Sequence, residues 1–121
     1  MQKILVDTNV LLRYLVDGDT LLEKIADKGV VWLVEEVVIE LVFALQEHYG
    51  QSREKIFGWV VDLLMKPNCE SNRTLLFNTL AVYRDQTNLS IVDAYLFALS
   101  EENKVELVTY DKKLKRKLIK Q

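Results

Sequence analysis

The sequence predicts an α/β fold of three layers, α/β/α, around a central and mainly parallel sheet. Three observations carry this. Short apolar runs, "KILVD", "VVWLV" and "VELVT", have the length and composition of strands buried on both faces. Longer amphipathic stretches with helix start and stop residues lie between them. The two kinds of signal alternate along the chain, as they do where parallel strands are joined by helical crossovers. In such sheets ligands bind beyond the carboxyl ends of the strands.

The elements follow in order. "KILVD" ends at Asp7, and the helical stretch "TNVLLRYLV" runs on until "DGDT" breaks the pattern. Thr20 and Glu23 have the T-x-x-E spacing of a capping box for "LLEKIADK", which Gly29 closes. "VVWLV" (Val30–Val34) is a second β-rich run, and the helix carrying Glu40 follows and stops at Gly50. Ser52 caps "REKIFGWVVDLLM", which Pro67 ends. "NRTLLFNTLAVYRDQ" is another amphipathic helix, and Ser90 with Asp93 makes an S-x-x-D box opening "IVDAYLFALSEEN". "VELVT" is a late strand, and Asp111 begins the last helix, which is basic. No repeat, low-complexity segment or linker divides the chain, so residues 1–121 are expected to form a single domain.

Composition narrows the function classes. The 121 residues are 50% hydrophobic and 28% charged, the balance of a globular chain with a core rather than a disordered one. No apolar run reaches membrane-spanning length, and "MQKILVDTN" enters structure without the pattern of a secretory signal, so a cytoplasmic location is expected. Cys69 is the only cysteine, which excludes an internal disulfide and a cysteine-based zinc site. Charge is unevenly spread. The last ten residues hold six of the 16 basic residues (Lys112, Lys113, Lys115, Arg116, Lys117, Lys120) and none of the 18 acidic ones, +6 against −8 for residues 1–111. This suits either a cationic patch for a polyanion or a solvated terminal helix whose cations favour its C-terminal dipole end.

Four acids stand at positions where chemistry is expected. Asp7 ends one strand run and Asp111 follows another, so a parallel sheet places both at its binding edge. Asp93 lies in the first turn of its helix, and Glu40 about one turn into the helix after the second strand, again near that edge. Each acid also has a local use: Asp7 and Asp111 as N-caps, Asp93 in its capping box, and Glu40 in a polar stripe with Glu36 and Glu47 beside Phe43 and Ala44. Two carboxylates about 4 Å apart repel by roughly 4 kcal/mol at an effective dielectric of 20, so a cluster of four needs a cation. Oxygen ligands without His or Cys select hard ions, Mg²⁺ or Mn²⁺, and carboxylate-held ions of this kind serve phosphoryl chemistry.

At these residues the chain resembles a PIN domain, specifically the VapC-type toxin ribonucleases. The resemblance covers nearly the whole chain and rests on "ILVDTNVLLRYL", "VIELVFAL" with Glu40, "LSIVDAYLFALS" with Asp93, and "LVTYDKKLKR" with Asp111. It implies a parallel sheet flanked by helices and a Mg²⁺- or Mn²⁺-dependent endoribonuclease that leaves 5′-phosphate and 3′-hydroxyl ends. Asp7, Glu40, Asp93 and Asp111 match the family's metal-binding carboxylates. Thr8 matches the hydroxyl position that helps order the site, and Asn9 the side-chain amide beside it. RNA as substrate, a homodimer and a small cognate antitoxin are the partners the resemblance implies, with Lys112, Lys113, Lys115 and Arg116 weaker candidates for RNA contact. One departure bears on the number of metals: some PIN domains carry a further acid shortly after the third, and Ala94 to Ala98 contain none.

Two other classes compete. A signalling receiver domain has similar length and alternation, but needs an acid cluster at the first strand's end and a Lys after the last strand; here Thr8 follows Asp7, and Tyr110–Asp111 ends the last strand run. A catalytically silent PIN-fold module that binds RNA or protein is the alternative. Among the remaining residues, His48 and Cys69 read as structural or incidental. Trp32, Phe57, Trp59 and Tyr83 read as core or interface, and Leu11, Leu12, Tyr14 and Leu15 as a crowded early helix suited to a dimer or antitoxin contact.

Overall fold

A computed structural model describes residues 2–119; Lys120, counted above in the basic tail, lies outside the described residues. The chain divides into two compact units, Met1–Arg73 and Thr74–Gln121.

The first unit is built on a sheet. In order it contains β1 (Lys3–Leu5), α1 (Thr8–Leu12), a π-helical turn (Arg13–Asp17), α2 (Leu21–Lys28), β2 (Val30–Trp32), α3 (Glu35–Glu47), α4 (Arg53–Leu64) and β3 (Cys69–Glu70). The strands pair in the order β1-β2-β3, all parallel. Register explains their composition. Ile4 pairs with Val31 and Val31 with Cys69, and this row points inward, with Val31 fully buried and Cys69 nearly so. The alternate row, Leu5, Trp32 and Glu70, is exposed. On that face the Lys3 ammonium lies 5.5 Å from the Trp32 ring centre and 3.2 Å from the Glu70 carboxylate.

The helices of this unit bury one face each. On α3, Val38, Leu41, Val42, Ala44 and Leu45 are buried while Glu36, Glu40, Phe43 and Glu47 are exposed. On α4, Ile56, Val60, Leu63 and Leu64 recur at the helical period and are buried. Each fully buried aliphatic side chain contributes about 1.5–3 kcal/mol. Leu11 is fully buried on α1, so it belongs to the core rather than to an interface; Leu12, Tyr14 and Leu15 are half-buried.

Two local expectations change in detail. Thr20 makes no side-chain cap at α2; the Leu21 N–H donates instead to Asp19 Oδ1 at 2.9 Å, an Asx turn one residue earlier. Gly29 follows α2 in extended backbone (φ −166°), not in a left-handed cap. A Cβ there would lie 2.6 Å from the Gln2 carbonyl oxygen and 2.9 Å from Ile4 Cδ1, so glycine is needed for β1 to approach.

The second unit is helical: α5 (Arg73–Asp85), whose first residue is the last of the first unit, then α6 (Ile91–Asn103) and α7 (Lys112–Ile119). Ser90 caps α6 through the expected capping box. Leu114 of α7 is buried with Leu89 and Phe97, and Val82, Leu107 and Leu118 pack against that cluster. The late strand "VELVT" does not form: residues 105–110 have no regular structure, and Val105, Val108 and Tyr110 are 58%, 84% and 98% exposed. β-propensity acts only where a ladder accepts the strand. Among the described residues every other element of this unit is a helix.

Candidate functional site

Asp7 and Glu40 belong to the first unit. Leu5 pairs with Trp32, so the segments leaving β1 and β2 start at the same sheet edge. Asp7 is two residues past the end of β1, and α3 begins three residues past β2. Asp7 is the N-cap of α1, its Oδ1 accepting from the Val10 N–H at 3.2 Å. Thr8 behind it is buried and Asn9 exposed. α1 packs on α3, where Glu40 stands five residues from the first, about 7.5 Å along the axis, on the exposed face.

Asp93 and Asp111 belong to the second unit. Asp93 Oδ2 accepts from the Ser90 N–H at 3.3 Å, and the Asp93 N–H donates to Ser90 Oγ at 3.1 Å; the residue is half-buried. Asp111 Oδ1 accepts from the Leu114 N–H at 2.9 Å, and the Asp111 N–H donates to Thr109 Oγ1 at 3.0 Å. All three aspartates therefore spend one carboxylate oxygen on the first turn of a helix, where the positive dipole end favours negative charge. That bond fixes the side-chain rotamer and leaves the second oxygen for another partner. Both readings of these aspartates, cap and ligand, are thus compatible in one residue.

Among the described residues no group of three or more His, Cys, Asp or Glu stands together as a metal site. The donor chemistry of the four acids is nevertheless of one kind, carboxylate oxygen, the set taken by hard divalent ions. The basic candidates Lys112, Lys113, Lys115 and Arg116 are all exposed on α7. Lys115 lies over the Tyr110 ring at 5.7 Å, and Arg116 Nε donates to the Lys112 carbonyl at 3.3 Å.

Several features were not read from the sequence. Arg73 donates from Nε to the Leu64 carbonyl at 3.0 Å and from Nη2 to the Cys69 carbonyl at 3.2 Å, tying the end of α4 to β3. Burial raises the Cys69 thiol pKa, against the weaker pull of Lys66 and Arg73. A cavity of about 190 Å³ is lined by Tyr14, Leu15, Trp59, Asp62, Leu63 and Lys66. There the Tyr14 side chain, hydrogen-bonded to Lys66, raises the ammonium pKa against the cost of burial.

A family model described as PIN domain matches residues 4–118, a span that includes all four acids. The chain belongs to the PIN domain family. Its fold is accordingly the three-layer α/β PIN fold, with the three-stranded parallel sheet described above. PIN domains are typically nucleases, and PIN nucleases generally use a divalent metal. No curated protein and no solved structure gives a significant match to this PIN domain. No helix among its described residues is long and apolar enough to cross a membrane.

Proposed function

We propose that this PIN domain is a Mg²⁺- or Mn²⁺-dependent endoribonuclease and the toxin of a VapC-type toxin–antitoxin pair, acting in the cytoplasm. The observation that carries this reading is the family match over residues 4–118, a span that contains Asp7, Glu40, Asp93 and Asp111. The same match runs across both compact units and supports a single PIN domain over residues 1–121. A cognate antitoxin and a homodimer follow from the resemblance to VapC-type toxins.

The four carboxylates would hold the ion. When bound, such an ion lowers the pKa of a water and offsets charge at a phosphodiester. The chain's own residues supply the setting. Asp7, Asp93 and Asp111 arrive with their rotamers held by helix caps, and such preorganisation reduces the ordering cost of binding. Glu40 stands on an exposed helix face, and buried Thr8 backs Asp7. The sequence offers no evident side-chain nucleophile, and a water is the attacking group in this reading.

The test is cleavage of structured and unstructured RNAs by protein freed of any co-purifying antitoxin, with Mg²⁺ or Mn²⁺, with chelator, and with Asp7→Asn. The expected result is metal-dependent cleavage that the substitution lowers by at least a hundredfold. Asn keeps the cap acceptor, so the variant should fold. Equal cleavage by the variant would point to a contaminating nuclease. Binding without cleavage would replace the reading with a silent PIN-fold module.

A further inference from the structure

A cavity of about 200 Å³ opens in the second unit, lined by Gln86, Asn88, Leu89, Lys113, Arg116 and Lys117. We propose that it is a phosphate subsite which seats one backbone phosphate of a single-stranded RNA. This rests on the nuclease reading for its ligand class, and on the cavity for its place.

The chemistry of the lining is one-sided. Three cations, at 113, 116 and 117, share one wall at helical spacing, i, i+3 and i+4. Gln86 and Asn88, which follow α5, add side-chain amides to the lining, and among the described residues no acid lines the space. The packing of the helix leaves Lys113 and Arg116 exposed and Lys117 half-buried. Leu114 and Leu118 take its apolar side into the cluster of Leu89 and Phe97, and Leu89 also lines the cavity.

The cations are partly preorganised and not neutralised. The Lys117 ammonium lies 5.1 Å from the Phe97 ring centre, and Arg116 is oriented by its bond to the Lys112 carbonyl. No ion pair within 4 Å links Lys113, Arg116 or Lys117 to a described carboxylate. Asp85 feels the charge of Lys117 but is held by Arg84, whose Nε lies 2.8 Å from its Oδ1. Like charges gathered this closely cost free energy unless an anion offsets them.

Size and charge pattern select the ligand. The space lies below the range of roughly 300–1,000 Å³ usual for whole small-molecule ligands, and suits one group of a longer molecule. Lys112 and Lys115 continue the positive charge along α7, as a polyanion with a charge on every residue requires.

The experiment is binding of a fluorescein-labelled 15-nucleotide single-stranded RNA to the full chain in EDTA, across a salt series. Lys113→Gln/Arg116→Gln is compared with Lys24→Gln/Lys28→Gln, an equal charge change on exposed α2. Losing the one phosphate seated there should lower the slope of log K against log salt by about 0.7. Affinity at low salt should fall at least tenfold, with less than a twofold change in the α2 control. Circular dichroism checks folding. Asn88→Asp, which puts a carboxylate into the cavity without altering α7, gives a second route to the same loss.

A wild-type slope in the α7 variant, or an equal loss in the α2 control, overturns the subsite. So does loss of polyglutamate binding with RNA binding intact, which would assign the cavity to an acidic peptide. RNA cleavage by wild type with an unchanged slope in the variant sinks the subsite alone. The expected slope change without any cleavage by wild type sinks the nuclease reading alone.

Discussion

Gly29 shows what one missing methyl group does in this chain. Its backbone is extended, a conformation any residue adopts, so the constraint there is steric: the carbonyl oxygen of Gln2, the residue before β1, lies 2.6 Å from where a Cβ would stand. Backbone gives way less readily than a side-chain tip. Gly29→Ala should therefore lower the unfolding free energy by about 1–3 kcal/mol, read from the urea midpoint. An unchanged midpoint would mean that β1 moves aside at no cost. In the sequence Gly29 reads as a helix stop, since punctuation by glycine is local, whereas the approach of β1 brings residues 2 and 4 against residue 29. The inward place of Cys69 is hidden for the same reason: β3 is two residues long, and only its register with Val31 buries the thiol.

At the scale of elements, helix starts were the most legible feature, because a cap is settled within four residues. Ser52 accepts from the Lys55 N–H at 3.2 Å, and Ser90 and Asp93 bond reciprocally, as their spacing predicts. Thr20 is the exception, and its neighbour Asp19 takes the donor instead. Ser90→Ala removes one half of the capping box and should cost about 1 kcal/mol of stability. Under the nuclease reading it should also lower RNA cleavage at temperatures where the variant is fully folded, because Asp93 loses the partner that steadies the start of its helix. Full activity in a folded Ser90→Ala protein would show that Asp93 needs no such support. "VELVT" marks where local reading stops: its residues favour a strand, but no short-range signal names the ladder that accepts it.

For the whole molecule, the family was legible because four local signatures survive in order along 121 residues. The acids could be named individually, since each sits at an element border or on an exposed helix face. Their chemistry as a set is a property of the folded chain and is measured there. An ion bound only by the native state stabilises it by about 2.7 kcal/mol at one hundred times its Kd. Mg²⁺ should therefore raise the melting temperature of the wild type at constant ionic strength, and raise that of Asp7→Asn much less. Equal shifts in both proteins would place the ion elsewhere on this acidic body.

The three capped aspartates have a consequence for how this lineage would age. A descendant released from selection for cleavage would still lose helix stability on discarding Asp7, Asp93 or Asp111, so those letters would outlast the activity. Glu40 caps no helix and makes no hydrogen bond or ion pair among the described residues. Its side chain earns nothing for the fold, and it would be the first of the four to drift. A glutamate still standing at position 40 is the better witness to a working nuclease.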